Sequence, residues 1–262
     1  MKPNFWVQQT KDKPLFPDII WNRPENRQFA GKLCIIGGNL HGFTAPATAY
    51  NEALKAGIDV ARVILPDALQ KIVGKLVPEA EFTPSTPSGS FAQSALGEIL
   101  PAAQWADSTL LAGDFGRNSE TAILLESFLT KHPGQLTLTD DAVDYFVKSP
   151  KTLLRRPETT LVVSLAQLQQ IATHSQFDIA ITSQMDMLQI VHALHQFTQT
   201  YSANIITEHL DHTFVAVSGQ VSSTPLTQDK KTWHLKTAAH ASVWWLQNPA
   251  KSFEALTTSL VA

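Results

Sequence analysis

What constrains this chain most is a recurring unit: a short apolar run, closed by glycine or proline, then a stretch of helical length. Residues 32–36 (KLCII) read as a strand ending in Gly37-Gly38, and residues 44–56 as an Ala-rich helix stopped by Gly57. Strand 60–65 (VARVIL) ends at Pro66 and precedes a helix over 67–75. A loop marked by Pro78, Pro84 and Pro87 leads to helix 91–103, strand 108–112, helix 119–131 and strand 136–139. A short helix starts near Asp140, and strand 160–164 runs into helix 165–172. Between Ser183 and Thr200, Met185, Leu188, Val191 and Leu194 recur every three residues, the mark of a helix with one buried face. Strands 203–207 and 213–218 are expected to pair as a hairpin, because the link 209–212 is too short for a crossover. Helices near 234–247 and 250–260, split by Pro249, close the chain. Strands alternating with helices imply an α/β fold, a mainly parallel central sheet flanked by helices on both faces. Without a composition break, a single domain over 1–262 is expected, with a proline-dotted arm over 1–30.

Charge narrows the function classes. Lys and Arg number 20 against 23 Asp and Glu, a net charge of −3 with no basic stripe. That field does not gather nucleic acid or anionic lipid, so neither is an expected partner. Charged residues are 16% of the chain, below the usual ~25%. The shortfall points to surface covered by another subunit, hence a homo-oligomer. Cys34 is the single cysteine, so no intrachain disulfide forms. The opening MKPNFWVQQTKDKP carries no apolar signal core, and no run approaches ~18 apolar residues. A cytoplasmic location is expected.

Parallel sheets take ligands beyond the carboxyl ends of their strands, which singles out loops 37–44, 113–119, 139–142, 164–166 and 207–212. In the first, Gly37-Gly38-Asn39-Leu40-His41-Gly42-Phe43-Thr44 opens a helix. Its glycines let backbone amides approach a ligand, and the helix N–H groups favour an anion; a tight strand-to-helix turn is the plainer reading. The spacing is not a dinucleotide fingerprint. In the second, Gly113 and Gly116 free the backbone, Asn118 or Ser119 suits a helix cap, and Arg117 suits a phosphate clamp. Asp114 is a base or a cap, with the cap favoured. The third loop pairs Asp140 with Asp141, either complementing a helix dipole or binding a metal or proton. The fourth cluster, Glu208-His209-Leu210-Asp211-His212, is dense in ligand types but lacks a clear metal spacing, so no metal is expected. His192 and His195 read as a surface pair, and Trp233, Trp244 and Trp245 as packing or subunit contacts.

The segment KLCIIGGNLHGFTAPATAYNEALKAGIDVARVILPD resembles the opening of the ADP/ATP-dependent NAD(P)H-hydrate dehydratases, a branch of the ribokinase-like superfamily. That family opens with a strand, Gly-Gly, a loop with Gly-Tyr-Thr-Gly-Ala and an Ala-rich helix. Gly42-Phe43-Thr44-Ala45-Pro46 fills that loop one residue short. The family's Gly-Pro-Gly-Leu-Gly turn looks like Ala112-Gly113-Asp114-Phe115-Gly116, and its Asp-Ala-Asp-Ala-Leu stretch looks like Thr139-Asp140-Asp141-Ala142-Val143. Element order agrees along nearly the whole chain, motifs only to about residue 145.

Beyond that point the chain departs. Ser164-Leu165-Ala166-Gln167 stands where the family has Thr-Pro-His-Pro-Gly-Glu, and Glu208-His209 where it has Lys-Gly. The family's late Gly-x-Gly-Asp motif, which cradles a nucleotide phosphate and supplies the acid/base, corresponds to residues 230–236, KKTWHLK. Of these, His234 is a candidate for proton transfer. The resemblance implies a ribokinase-like fold and a substrate side built from Gly38, Asn39, Gly42, Phe43, Thr44, Gly113, Asp114, Gly116, Arg117 and Asp141. It implies a nucleotide side at Ser164, Glu208, His209 and His234, taking ADP or ATP if the chain is active. The expected function is a dehydratase-like pseudoenzyme that binds a nucleotide-like ligand or forms an oligomer, its nucleotide-dependent activity impaired or lost. The alternatives are an active lyase that dehydrates NAD(P)H hydrates with ADP or ATP and, last, a small-molecule kinase of the same fold.

Overall fold

A computed structural model describes residues 3–24, 26–73, 77, 79–226 and 233–261, with Arg27 described by its backbone alone. The strands are β1 (Trp6–Gln8), β2 (Lys32–Gly37), β3 (Val60–Pro66), β4 (Ala80–Thr83), β5 (Ser108–Gly113), β6 (Gln135–Thr139), β7 (Thr159–Val163), β8 (Asn204–His209), β9 (His212–Val217) and β10 (Gln220–Pro225). The helices are α1 (Pro17–Trp21), α2 (Thr44–Lys55), α3 (Gln70–Val73), α4 (Leu96–Trp105), α5 (Ser119–Lys131), α6 (Asp141–Asp144), α7 (Lys151–Arg155), α8 (Leu165–Ser175), α9 (Met187–Thr200), α10 (Trp233–Gln247) and α11 (Ser252–Thr258).

All ten strands join one sheet in the order β1-β10-β9-β8-β7-β6-β5-β2-β3-β4. From β4 through β8 every neighbouring pair is parallel. The β8–β9 hairpin and the β9–β10 pair are antiparallel, and β1 closes the edge parallel to β10. The central strands are apolar runs because both faces are covered. On β2, Leu33 and Ile35 enter one core with α2, α3, α10 and α11, while Cys34 and Ile36 enter the other with α4, α5, α8 and α9. Burial pushes the Cys34 thiol up to about 12, so it stays protonated and inert.

Three strands depart from the sequence expectation. The arm over 1–30 contains β1 and α1 rather than loop alone. The proline-marked loop contains β4, and β10 follows the hairpin. The helix expected over 67–75 is a 3-10 turn, Asp67–Leu69, followed by α3, with residues 74 and 75 outside the described residues. The long amphipathic helix starts at Met187, because Asp186 caps it with a reciprocal bond to Gln189. His192 and His195 are not a free surface pair: Phe5 stacks on His195 at 3.6 Å and meets His192 edge-on. Trp233, Trp244 and Trp245 are buried as expected of packing residues.

The connectivity makes a switch point between β2 and β5. β2 runs on through α2 to β3 on one side, while β5 lies on the other. Ligands of open α/β sheets bind outside the strand ends at such a point.

Candidate functional site

The site begins where β2 and β5 end together. Their register shifts between Ile36 and Gly37, and the Gly38 N–H donates to the Gly113 carbonyl at 2.9 Å. A Cβ on Gly37 would strike that carbonyl, and one on Gly113 would meet the Asp140 Cβ at 3.0 Å. Glycine at both positions lets three loops meet.

The turn after β2 closes on itself, Asn39 and Gly42 exchanging backbone bonds of 2.8 and 3.0 Å. The Asn39 side chain accepts from the His41 N–H at 2.7 Å and donates to the Asp114 carbonyl. Asp114 sits in the left-handed region at φ 59°. Its Oδ2 accepts from the Ala45 N–H at 2.7 Å, in the first turn of α2. Asp114 is therefore a cap, but for a helix 69 residues away rather than its own.

A second carboxylate makes a matching contact. Asp141 accepts from the Phe115 N–H at 3.2 Å and the Gly116 N–H at 2.9 Å. The Tyr145 hydroxyl donates to the Gly116 carbonyl at 2.7 Å and accepts from the Asn118 N–H at 3.2 Å. Asn118 caps α5 through its side-chain oxygen. Phe115 anchors this turn, buried against the Phe91 ring at 5.7 Å and the Tyr145 ring at 6.4 Å.

Asp140 completes the acidic wall. Its backbone is held at φ 49°, ψ −135°, a region costly for a non-glycine residue. Burial first, then the charges of Asp141, Asp114 and Asp144, push its carboxyl up to about 6. Burial also raises Asp141, against the pull of its two amide bonds. His234 enters from α10 with Nδ1 3.6 Å from Asp140 Oδ1, beyond hydrogen-bond length. Burial pushes His234 down to about 4. At pH 7 the imidazole is thus neutral and Asp140 mostly ionised, so the two are neighbours rather than an ion pair. Gln167 ties the wall down from α8, donating to the Asp140 carbonyl at 3.0 Å and to Asp144 Oδ1 at 2.8 Å.

The structure thus gathers Gly38, Asn39, Gly42, Gly113, Asp114, Gly116, Asp141 and His234 around one wall, with Phe43 and Thr44 at the entry to α2. Arg117 is exposed and has no ion pair among the described residues. Ser164 spends its hydroxyl on the α8 cap, in a reciprocal pair with Gln167. His209 meets the Met185 carbonyl through Nε2 at 2.6 Å, and Glu208 shares its strand end. Leu210 and Asp211 form the hairpin turn at positive φ. No group of three or more His, Cys, Asp or Glu among the described residues is arranged to hold a metal. Lys230, Lys231 and Thr232 lie outside the described residues.

The amides of Ala45, Phe115 and Gly116, which a bound anion would take, are bonded to the protein's own carboxylates. Asp140 and Asp144 stand beside them, so these loops present carboxylates together with amides that are already bonded. Asp140 stands in the wall beside Asp141, the carboxylate pair that the third loop offered, while Asp144, Tyr145 and Gln167 belong to it although the residue types alone did not place them there. Of those three, only Gln167 carried a signal, the Ser-x-x-Gln pattern of a capping box.

No protein-family model matches the chain. A stretch of 92 residues is 35% identical to the bifunctional NAD(P)H-hydrate repair enzyme of Methanothermobacter thermautotrophicus, covering 35% of this chain and 18% of that protein. Among solved structures, a ribokinase-like superfamily protein from Enterococcus faecalis V583 superposes with a TM-score of 0.73 at 14% identity, over 100% of this chain and 87% of that one. An ADP/ATP-dependent NAD(P)H-hydrate dehydratase from Bacillus subtilis, co-crystallized with ATP and Mg2+, gives 0.61 at 11% identity, over 94% and 86%. With its switch-point site, parallel core and helix order, this chain has the ribokinase-like α/β fold.

Proposed function

We propose that the chain is a divergent NAD(P)H-hydrate dehydratase-like protein that holds a nucleotide-like small molecule where β2, β5 and β6 end, with nucleotide-dependent dehydration impaired or lost. The observation that carries this reading is the sequence KKTWHLK at 230–236, without glycine or aspartate, where the family has Gly-x-Gly-Asp. Glycine amides cradle a phosphate only where no bulky side chain stands in its place, and the aspartate of that motif is the family's acid/base. The 92-residue stretch at 35% identity and the shared fold support the choice of family. Low charge content, with Trp21 84% and Phe29 76% exposed on the arm, supports self-association as part of the role.

One observation favours an active lyase instead. Asp140, with its carboxyl near 6, is poised for proton transfer at neutral pH, and His234 adjoins it. In that reading Asp140 takes or returns a proton at its carboxylate, and Gln167 fixes its backbone.

Thermal unfolding with the hydrated dinucleotide NADHX, with NADH and with ADP tests the proposal. A dinucleotide present at 100 times its Kd adds about 2.7 kcal/mol of stability, read as a clear rise in Tm that Asn39→Ala diminishes. ADP is expected to add little. Stabilisation by none of the three, together with a monomer in light scattering, contradicts the proposal.

A further inference from the structure

A cavity of about 680 Å3 lies at the opposite end of the sheet, lined in part by Glu158, Gln199, Ser202, Asn204, Ser218 and Trp245. Its volume is in the range of small-molecule sites, roughly 300–1,000 Å3. Asn204 starts β8 and Glu158 immediately precedes β7, whereas the acidic wall stands beyond the other ends of the parallel strands. Five to six residues of strand separate the two places by roughly 15–20 Å.

Three observations identify what this cavity takes. Among the described residues its wall carries no lysine, arginine or histidine and a single carboxylate, Glu158, so none of them neutralises an anion. Its polar groups are uncharged and incompletely used. Asn204, 94% buried by its 6% exposure, donates through Nδ2 to Thr160 Oγ1 at 3.2 Å, while its Oδ1 has no partner among the described residues. Neither do the hydroxyls of Ser202 and Ser218 nor the amide of Gln199. Trp245 lies beneath this wall at 2% exposure with its indole N–H sealed from solvent, so it senses what fills the cavity without bonding to it. Finally, Glu158 and Ser218 hold φ 53° and 47° on the rim, uncommon for residues other than glycine.

We infer that this cavity is a second ligand site for a neutral polyhydroxylated molecule of sugar size. Such a ligand presents both donors and acceptors to a wall of hydroxyl and amide groups. The inference is independent of what the acidic wall binds.

The test follows the indole N–H signal of Trp245 by NMR in the full chain, assigned through Trp245→Phe. The probes are D-ribose and myo-inositol, with sodium phosphate at matched ionic strength as the anionic control. A saturable change in that signal's position with either polyol and none with phosphate is expected. Ser202→Trp, at an exposed rim position, is expected to weaken it at least about tenfold, while Asp140→Asn leaves it unchanged. Gln199→Trp blocks the same mouth from an exposed helix end should Ser202→Trp not fold. No shift with either polyol, an equal shift with phosphate, or a shift lost in Asp140→Asn and retained in the rim variants overturns the inference.

Discussion

The carboxylate of Asp114 replaces, by covalent attachment, the anion that the amino end of α2 would otherwise recruit. A partly buried backbone N–H left unpaired costs roughly 1–3 kcal/mol, so Asp114→Ala is expected to destabilise by about that amount in chemical denaturation. Asp114→Gly suits the φ of 59° and frees the same amide. It is expected to acquire stabilisation by inorganic phosphate that the parent lacks, read as a Tm difference between phosphate and chloride buffers. An equal response in both proteins counts against the filled-amide argument. Asp140 has the opposite energetic sign. Its carboxyl is raised from 3.8 to about 6 by burial and then by the neighbouring aspartates. The folded state thus binds the extra proton, and stability falls as pH rises from 3.8 through 6. Since the side chain is 35% exposed, solvent screening reduces the cost above pH 6 to about 1–2 kcal/mol. Asp140→Asn is therefore expected to be more stable than the parent at pH 7 to 8, with the difference closing by about pH 4. A variant less stable at pH 8 would show that the carboxylate is favourably paired.

At the scale of elements, α8 is where a local sequence rule reaches the site. Ser164 and Gln167 form a capping box, and the Gln167 amide continues to Asp140 and Asp144. Gln167→Ala is expected to cost about 1 kcal/mol and to speed amide exchange over 140–145, which hydrogen-exchange mass spectrometry reads directly. Exchange confined to α8 would separate the cap from the wall. The central strands were legible because both faces of β2, β5, β6 and β7 are buried, leaving apolar runs that glycine or proline punctuates. β10 was not, because Ser222, Ser223 and Thr224 are buried polar residues without an apolar period. They are satisfied by Thr257, Trp6 and Gln9, partners far away in sequence. β1 and β4, three and four residues long, are too short for a pattern. The site's loops followed from where strands end. Which carboxylate takes which amide did not, since that depends on loops about 26 and 69 residues apart meeting through the left-handed turns at Asp114 and Asp140.

For the whole molecule, acid stability is governed by buried histidines. His132, His234 and His240 are each pushed down to about 4, first by burial. Each is neutral when folded and protonates on unfolding below about 6.5, so stability is lost as pH falls from 6.5 through 4. Glu52 stands 3.4 Å from His240 Nε2, yet burial outweighs its attraction. Near pH 5 the three histidines take up protons on unfolding and Asp140 releases one, a net uptake of about two. Denaturation across pH 7 to 4.5 measures it, and His132→Gln is expected to reduce it by about one. A flat profile contradicts the neutral assignments. The same scaffold carries the functional reading: on a ribokinase-like sheet the proposed ligand loops are tied together by their own aspartates, and the late helix lacks the family's Gly-x-Gly-Asp. The most direct test incubates the purified chain with NADHX, Mg2+ and saturating ADP or ATP and follows formation of the intact dinucleotide. We predict no turnover above the uncatalysed background in either the parent or Asp140→Asn. Nucleotide-dependent turnover by the parent, abolished in Asp140→Asn, would contradict the account.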